Sequence, residues 1–67
     1  MHGRFITRLE NQYNVQISNV TEFNTAGGYK CALTVSKFDE ARQYNVFENI
    51  VVPVGVRVED LVAAFAD

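Results

Sequence analysis

The sequence predicts an α+β fold, a three-stranded antiparallel meander flanked by an N-terminal and a C-terminal helix in the order α-β-β-β-α. Three observations carry that expectation. In Tyr29–Val35 the odd positions Tyr29, Cys31, Leu33 and Val35 are apolar, and Lys30, Ala32 and Thr34 between them are small or polar. This is the period of two that gives a strand one buried and one wet face. The adjacent glycines Gly27 and Gly28 stand before that strand as a turn, because glycine takes positive φ without a steric cost. Near both ends the apolar residues recur at helical spacing instead, Phe5, Ile6, Leu9 and Tyr13 in one case and Leu61, Val62 and Phe65 in the other.

Taken in order, Met1–Gly3 reads as a frayed end and Arg4–Tyr13 as a short helix. Asn14 can take the left-handed conformation that stops a helix. A strand with Phe5, Thr7 and Leu9 on one face is the rival reading of this segment. Val15–Phe23 is the first strand of the sheet, with Val15, Ile17 and Phe23 on one face. Val20 breaks the alternation, which predicts a bulge near Asn19. After the turn Asn24–Gly28 the central strand runs to about Lys37.

Two readings of the next segment compete. Phe38–Tyr44 can open a helix, with Asp39 as its cap and Ala41, Tyr44 and Phe47 as its stripe. Alternatively, Asp39-Glu40 is a hairpin turn and Gln43–Val52 a third strand. In that register Val35 faces Tyr44, Leu33 faces Val46, Cys31 faces Glu48 and Tyr29 faces Ile50. Val46, Phe47, Ile50, Val51 and Val52 favour strand, and Asn45 and Asn49 are poor helix formers, so the strand is preferred. Pro53 and Gly55 end the sheet. Val58–Ala66 is the closing helix, with Glu59 and Asp60 in its first turn, where negative charge suits the helix dipole. No Ser, Thr or Asp precedes it as a cap.

Sixty-seven residues make one domain, spanning 1–67, with a small core. A hydrophobic content of 48% against 21% charged residues is that of a globular chain rather than a disordered one. Cys31 is the only cysteine, which suits a reducing cytoplasm or simply a chain that does not rely on disulfides. No apolar run is long enough to suggest a signal peptide or a membrane span. The net charge is −2, and it is unevenly divided. Residues 1–37 hold Arg4, Arg8, Lys30 and Lys37 against Glu10 and Glu22, whereas residues 38–67 hold Arg42 and Arg57 against six carboxylates. Neither half has the basic stripe that phosphate neutralisation calls for, so nucleic acid is a disfavoured partner.

Helix, three strands, helix resembles the layout of double-stranded-RNA-binding domains. Such a resemblance implies a Lys-rich start to the second helix and a basic loop. Here the second helix starts Val58-Glu59-Asp60 and the basic loop is absent. A negative helix start repels the phosphates it would have to hold.

No catalytic constellation is expected. His2 is the lone histidine, and one histidine without a cysteine or carboxylate cluster builds no metal site. Cys31 shares its face with apolar neighbours and reads as a buried, inert thiol. Asp39-Glu40 and Glu59-Asp60 are adjacent in sequence, so their side chains point apart rather than converging as an acid and a base. Gly27-Gly28 lacks the lysine and hydroxyl of a phosphate-binding loop. No cofactor and no enzymatic activity follow from these residues.

The informative surface is the sheet face turned away from the helices. It is expected to carry Gln16, Ser18, Lys30, Thr34, Ser36, Asn45 and Asn49, joined by Phe47 and Val51. An ordinary solvated face would have this polarity, but low charge around an aromatic is also the composition of an interface centre. The third strand is expected at the sheet edge, with only Glu48 to discourage pairing with another chain. Asp39, Glu40, Glu59, Asp60 and Asp67 offer an acidic patch that would compete for a basic surface. The expectation is therefore a non-enzymatic, acidic protein-binding or regulatory module. Its contact residues would be Asn45, Phe47, Glu48, Asn49, Asp39, Glu40, Glu59 and Asp60, and an inhibitor encoded by a phage or mobile element would act this way. Two rivals are a nucleic-acid-binding module using Arg4, Arg8, Lys30 and Lys37, and a homo-oligomer built by edge-strand pairing.

Overall fold

The computed structural model describes residues 3–67; His2 lies outside the described residues. Helix α1 spans Gly3–Tyr13, so Gly3 is helical rather than frayed. Strands β1 (Gln16–Glu22), β2 (Tyr29–Asp39) and β3 (Tyr44–Pro53) follow, then helix α2 (Val58–Ala66). A short 3₁₀ turn at Thr25–Gly27 links β1 to β2. The sheet is antiparallel in the order β1-β2-β3, with β2 in the middle and both others at an edge.

Asn14 ends α1 in the left-handed conformation at φ 56°. Beyond it the Val15 amide donates to the Glu10 carbonyl at 3.2 Å, the bond that closes a Schellman turn. The Glu10 carboxylate also accepts the Ile17 amide at 2.8 Å, which ties the helix to β1. Asn19 is likewise left-handed, at φ 54°, and the β1–β2 register slips between Ser18 and Thr21. This is the bulge that Val20 signalled. It reverses the facing of the residues after it: Ile17 pairs with Val35, but Glu22 pairs with Cys31. Phe23 therefore leaves the alternation and lies at the strand end, half exposed, rather than in the core.

The segment after β2 is a strand, as preferred, but the turn is not Asp39-Glu40. Asp39 pairs with Tyr44, and residues 40–43 form the connection. The Asp39 carboxylate accepts the amides of Ala41 (3.0 Å) and Arg42 (3.2 Å), and the Gln43 amide donates to the Asp39 carbonyl at 2.8 Å. Asp39 thus caps a single helical turn, and Gln43, at φ 61°, turns the chain back into β3. The register moves by four residues. Val35 faces Glu48, Leu33 faces Ile50 and Cys31 faces Val52, while beyond the irregularity at Lys30 Tyr29 faces Pro53, a move of three. The faces are unchanged, because an even shift preserves side-chain orientation.

Both helices cover one face of the sheet. Leu9 of α1, Val15, then Cys31, Leu33 and Val35 of β2, Val52 of β3, and Val58 and Val62 of α2 form the buried core. At about 3.3 Å per residue, the 11 residues of β2 run roughly 36 Å. The 9 residues of α2 cover only about 14 Å of that length. The tip of the β2–β3 hairpin consequently overhangs the helices, which leaves Tyr44 half exposed although it is on the helix side.

Candidate functional site

Cross-strand pairing places Gln16 with Ser36, Ser18 with Thr34, Thr21 with Ala32, Ala32 with Val51, Thr34 with Asn49, Ser36 with Phe47 and Phe38 with Asn45. All of these residues share the open face of the sheet, and none is charged. Thr34 Oγ1 donates to Asn49 Oδ1 at 2.7 Å across the two strands, so a polar pair is satisfied within the face itself. Phe47 is 70% exposed, Phe38 54% and Val51 51%. Phe38 and Phe47 are diagonal neighbours in the ladder, a spacing of roughly 7–8 Å. The expected strand stops at about Lys37 and so leaves Phe38 out, whereas β2 runs to Asp39; the even number of Phe38 continues the alternation and is the signal that locates it.

Lys30 does not join this face. The ladder is irregular between Tyr29↔Pro53 and Cys31↔Val52, and Lys30 sits at the irregularity. It borders a groove of about 440 Å³ at the start of β2, together with Phe5, Phe23, Cys31, Val58 and Glu59.

Of the expected contact residues, Asn45, Phe47 and Asn49 come together on the open face, and Glu48 points to the helix side of the same edge strand. The carboxylates do not form one patch. Asp39 and Glu40 are at the hairpin end, where Asp39 also meets Arg42 at 3.8 Å. Glu59 and Asp60 open α2, whose other end lies against Lys37. From Lys37 to the Cys31 end of β2 is six strand residues, on the order of 20 Å. Glu59 pairs with Arg57 at 3.3 Å. A hydrogen bond from its own backbone amide, followed by that from Arg57, holds its carboxyl below the usual range.

The four cations are equally dispersed. Arg8 lies over the Phe5 ring at 5.2 Å on α1, and Arg4 is exposed on the same helix. Lys37 donates to the carbonyls of Phe65 (2.8 Å) and Ala66 (3.0 Å) and lies 5.2 Å from the Phe65 ring centre. A lysine at a helix C-terminus satisfies orphan carbonyls and meets the negative end of the dipole. Cys31 is buried, and desolvation pushes its thiol up against the weaker lowering effect of Lys30. Among the described residues no group of three or more His, Cys, Asp or Glu side chains could hold a metal ion. No helix among them is long and apolar enough to cross a membrane.

Comparison of the chain with protein-family models, with curated proteins and with solved structures finds no match.

Proposed function

We propose that the protein is a non-enzymatic, cytoplasmic module that binds another protein and regulates it by occupying part of its surface. An inhibitor carried by a phage or mobile element is the kind of protein that acts this way. The observation that supports this reading is the uncharged open face of the sheet, with Phe38, Phe47 and Val51 exposed among amides and hydroxyls. Interface centres are depleted of charge and enriched in aromatics. Phe38 and Phe47 are neighbours in the ladder rather than scattered singly, and grouped exposed apolar side chains are what contact surfaces present. Asn45 and Asn49 flank Phe47 on the same strand and supply hydrogen-bonding groups around it. The nucleic-acid reading is weakened because Lys37 is bonded to α2 and the open face carries none of the four cations.

Affinity capture from a bacterial lysate, with and without nuclease, tests the proposal. One protein recovered in stoichiometric amount after nuclease treatment, and lost with Phe47→Ser, is the expected result. Recovery only of nucleic acid and its associated proteins, abolished by nuclease, overturns it.

A further inference from the structure

The outer edge of β3 and the side of α2 next to it frame a groove of about 530 Å³, whose walls include Glu48, Ile50, Val56, Leu61, Ala64 and Phe65. Among the described residues β3 has a strand neighbour on one side only, which leaves its outer backbone amides and carbonyls without a ladder partner along the edge. Such an edge beside an apolar groove is the arrangement in which an extended peptide adds as a further strand. Main-chain hydrogen bonds then give affinity, and alternate side chains enter the groove. The helix-side residues of β3 are Tyr44, Val46, Glu48, Ile50 and Val52, so a strand added beside β3 directs every second side chain towards Leu61, Ala64 and Phe65.

Glu48 sets the chemistry of the occupant. It is the single charge lining this groove, and among the described residues it has no ion pair or hydrogen bond. Lys37, the lysine on that face of β2, is bonded to the end of α2. A second copy of the chain supplies no partner for it. β3 pairing with β3 brings only Tyr44, Val46, Glu48, Ile50 and Val52 to that side, and β1 contains no lysine or arginine. Charge complementarity therefore favours a different protein.

We propose that β3 accepts an extended segment of a partner protein by strand addition. The segment places a lysine or arginine opposite Glu48, with apolar side chains at the alternate positions over Leu61, Ala64 and Phe65. The inference rests on the protein-binding reading and adds to it the binding mode and the character of the bound segment.

The probe is a blocked nine-residue peptide with valine at groove-facing positions, threonine between them, and either lysine or glutamate at the central groove-facing position. Titration into the isotope-labelled protein is followed by NMR. The expected result is saturable shifts along β3 and the groove side of α2, with slowed amide exchange in β3. The lysine peptide binds about tenfold more tightly than the glutamate peptide at low salt, and Glu48→Lys, a change at an exposed position, reverses the order. Absence of saturation by either peptide, an unchanged order in Glu48→Lys, shifts confined to Phe38, Phe47 and Val51, or dimerisation of the chain through β3 each overturns the inference. None of these touches the requirement that Phe47→Ser abolish partner capture, so the two proposals fail separately.

Discussion

The ammonium of Lys37 lies 2.8 Å from the carbonyl oxygen of Phe65, joining the far end of the central strand to the last turn of the closing helix. The same ammonium reaches the Ala66 carbonyl, and its charge lies over the Phe65 ring. One side chain thus caps a helix that has no basic residue in its own last turn, and it fixes where α2 sits along the sheet.

Lys37→Met keeps the aliphatic stem and removes these bonds. It is expected to lower stability by about 1–2 kcal/mol, with Lys37→Arg recovering part of the loss. Urea unfolding followed by circular dichroism measures both, and a Met variant as stable as the parent would remove the capping role.

Asn19 holds the bulge in the left-handed region, which costs a residue with a branched Cβ on the order of 1–2 kcal/mol. Asn19→Val should destabilise by that amount, although valine is the better strand former, while Asn19→Gly should be tolerated. Thermal melts of the two variants decide the matter; the reverse order would mean that the bulge does not require this conformation.

The carboxyl of Glu59 is held below its usual range by its own backbone amide and then by Arg57. A depressed folded-state pKa contributes stability that is complete above the unfolded value, about 4.3, and is lost as pH falls through the folded value. Glu59→Gln should therefore flatten part of the loss of stability below about pH 4.3, while leaving the slope above neutral pH unchanged. Denaturation midpoints collected from pH 2 to 8 show whether the acid limb responds.

Phe47 and Leu9 separate contact from folding. Phe47→Ser, at an exposed position, should change stability by no more than about 0.5 kcal/mol and should abolish partner capture. Leu9→Ala, at a core position only 1% exposed, should cost about 2–5 kcal/mol, enough to unfold much of so small a domain. A Phe47→Ser protein that folds and still captures its partner would move the contact surface elsewhere.

The element order was legible because each element obeys its own periodicity. The stop at Asn14 and the bulge at Asn19 were legible because Asn tolerates positive φ and because Val20 interrupts the alternation. The register of the hairpin was not. A two-residue turn at Asp39-Glu40 and a four-residue turn at 40–43 put the same residues on the same faces, so alternation cannot separate them. What separates them is the Asp39 carboxylate reaching forward to Ala41 and Arg42. The helical reading of this segment had correctly made Asp39 a cap but extended one turn into a helix. Asn45, Phe47, Glu48 and Asn49 could be placed by parity alone. The separation of Asp39 and Glu40 from Glu59 and Asp60 depends on the direction of α2 across the sheet, which rests on Lys37 meeting Phe65 and Ala66 and has no local signature.

The two borders of the sheet are not equivalent. On β1 the Glu10 carboxylate occupies the amide of Ile17, and the bulge at Asn19 breaks the line of backbone groups two residues later. From Tyr44 to Val52, β3 follows its neighbour without interruption. A sheet receptive on both sides can propagate from molecule to molecule into a fibre, whereas one blunted on one side stops after a single addition. Glu10 and Asn19 thus act as a chain terminator: in the proposed strand addition, a segment joined at β3 would not be followed by another at β1.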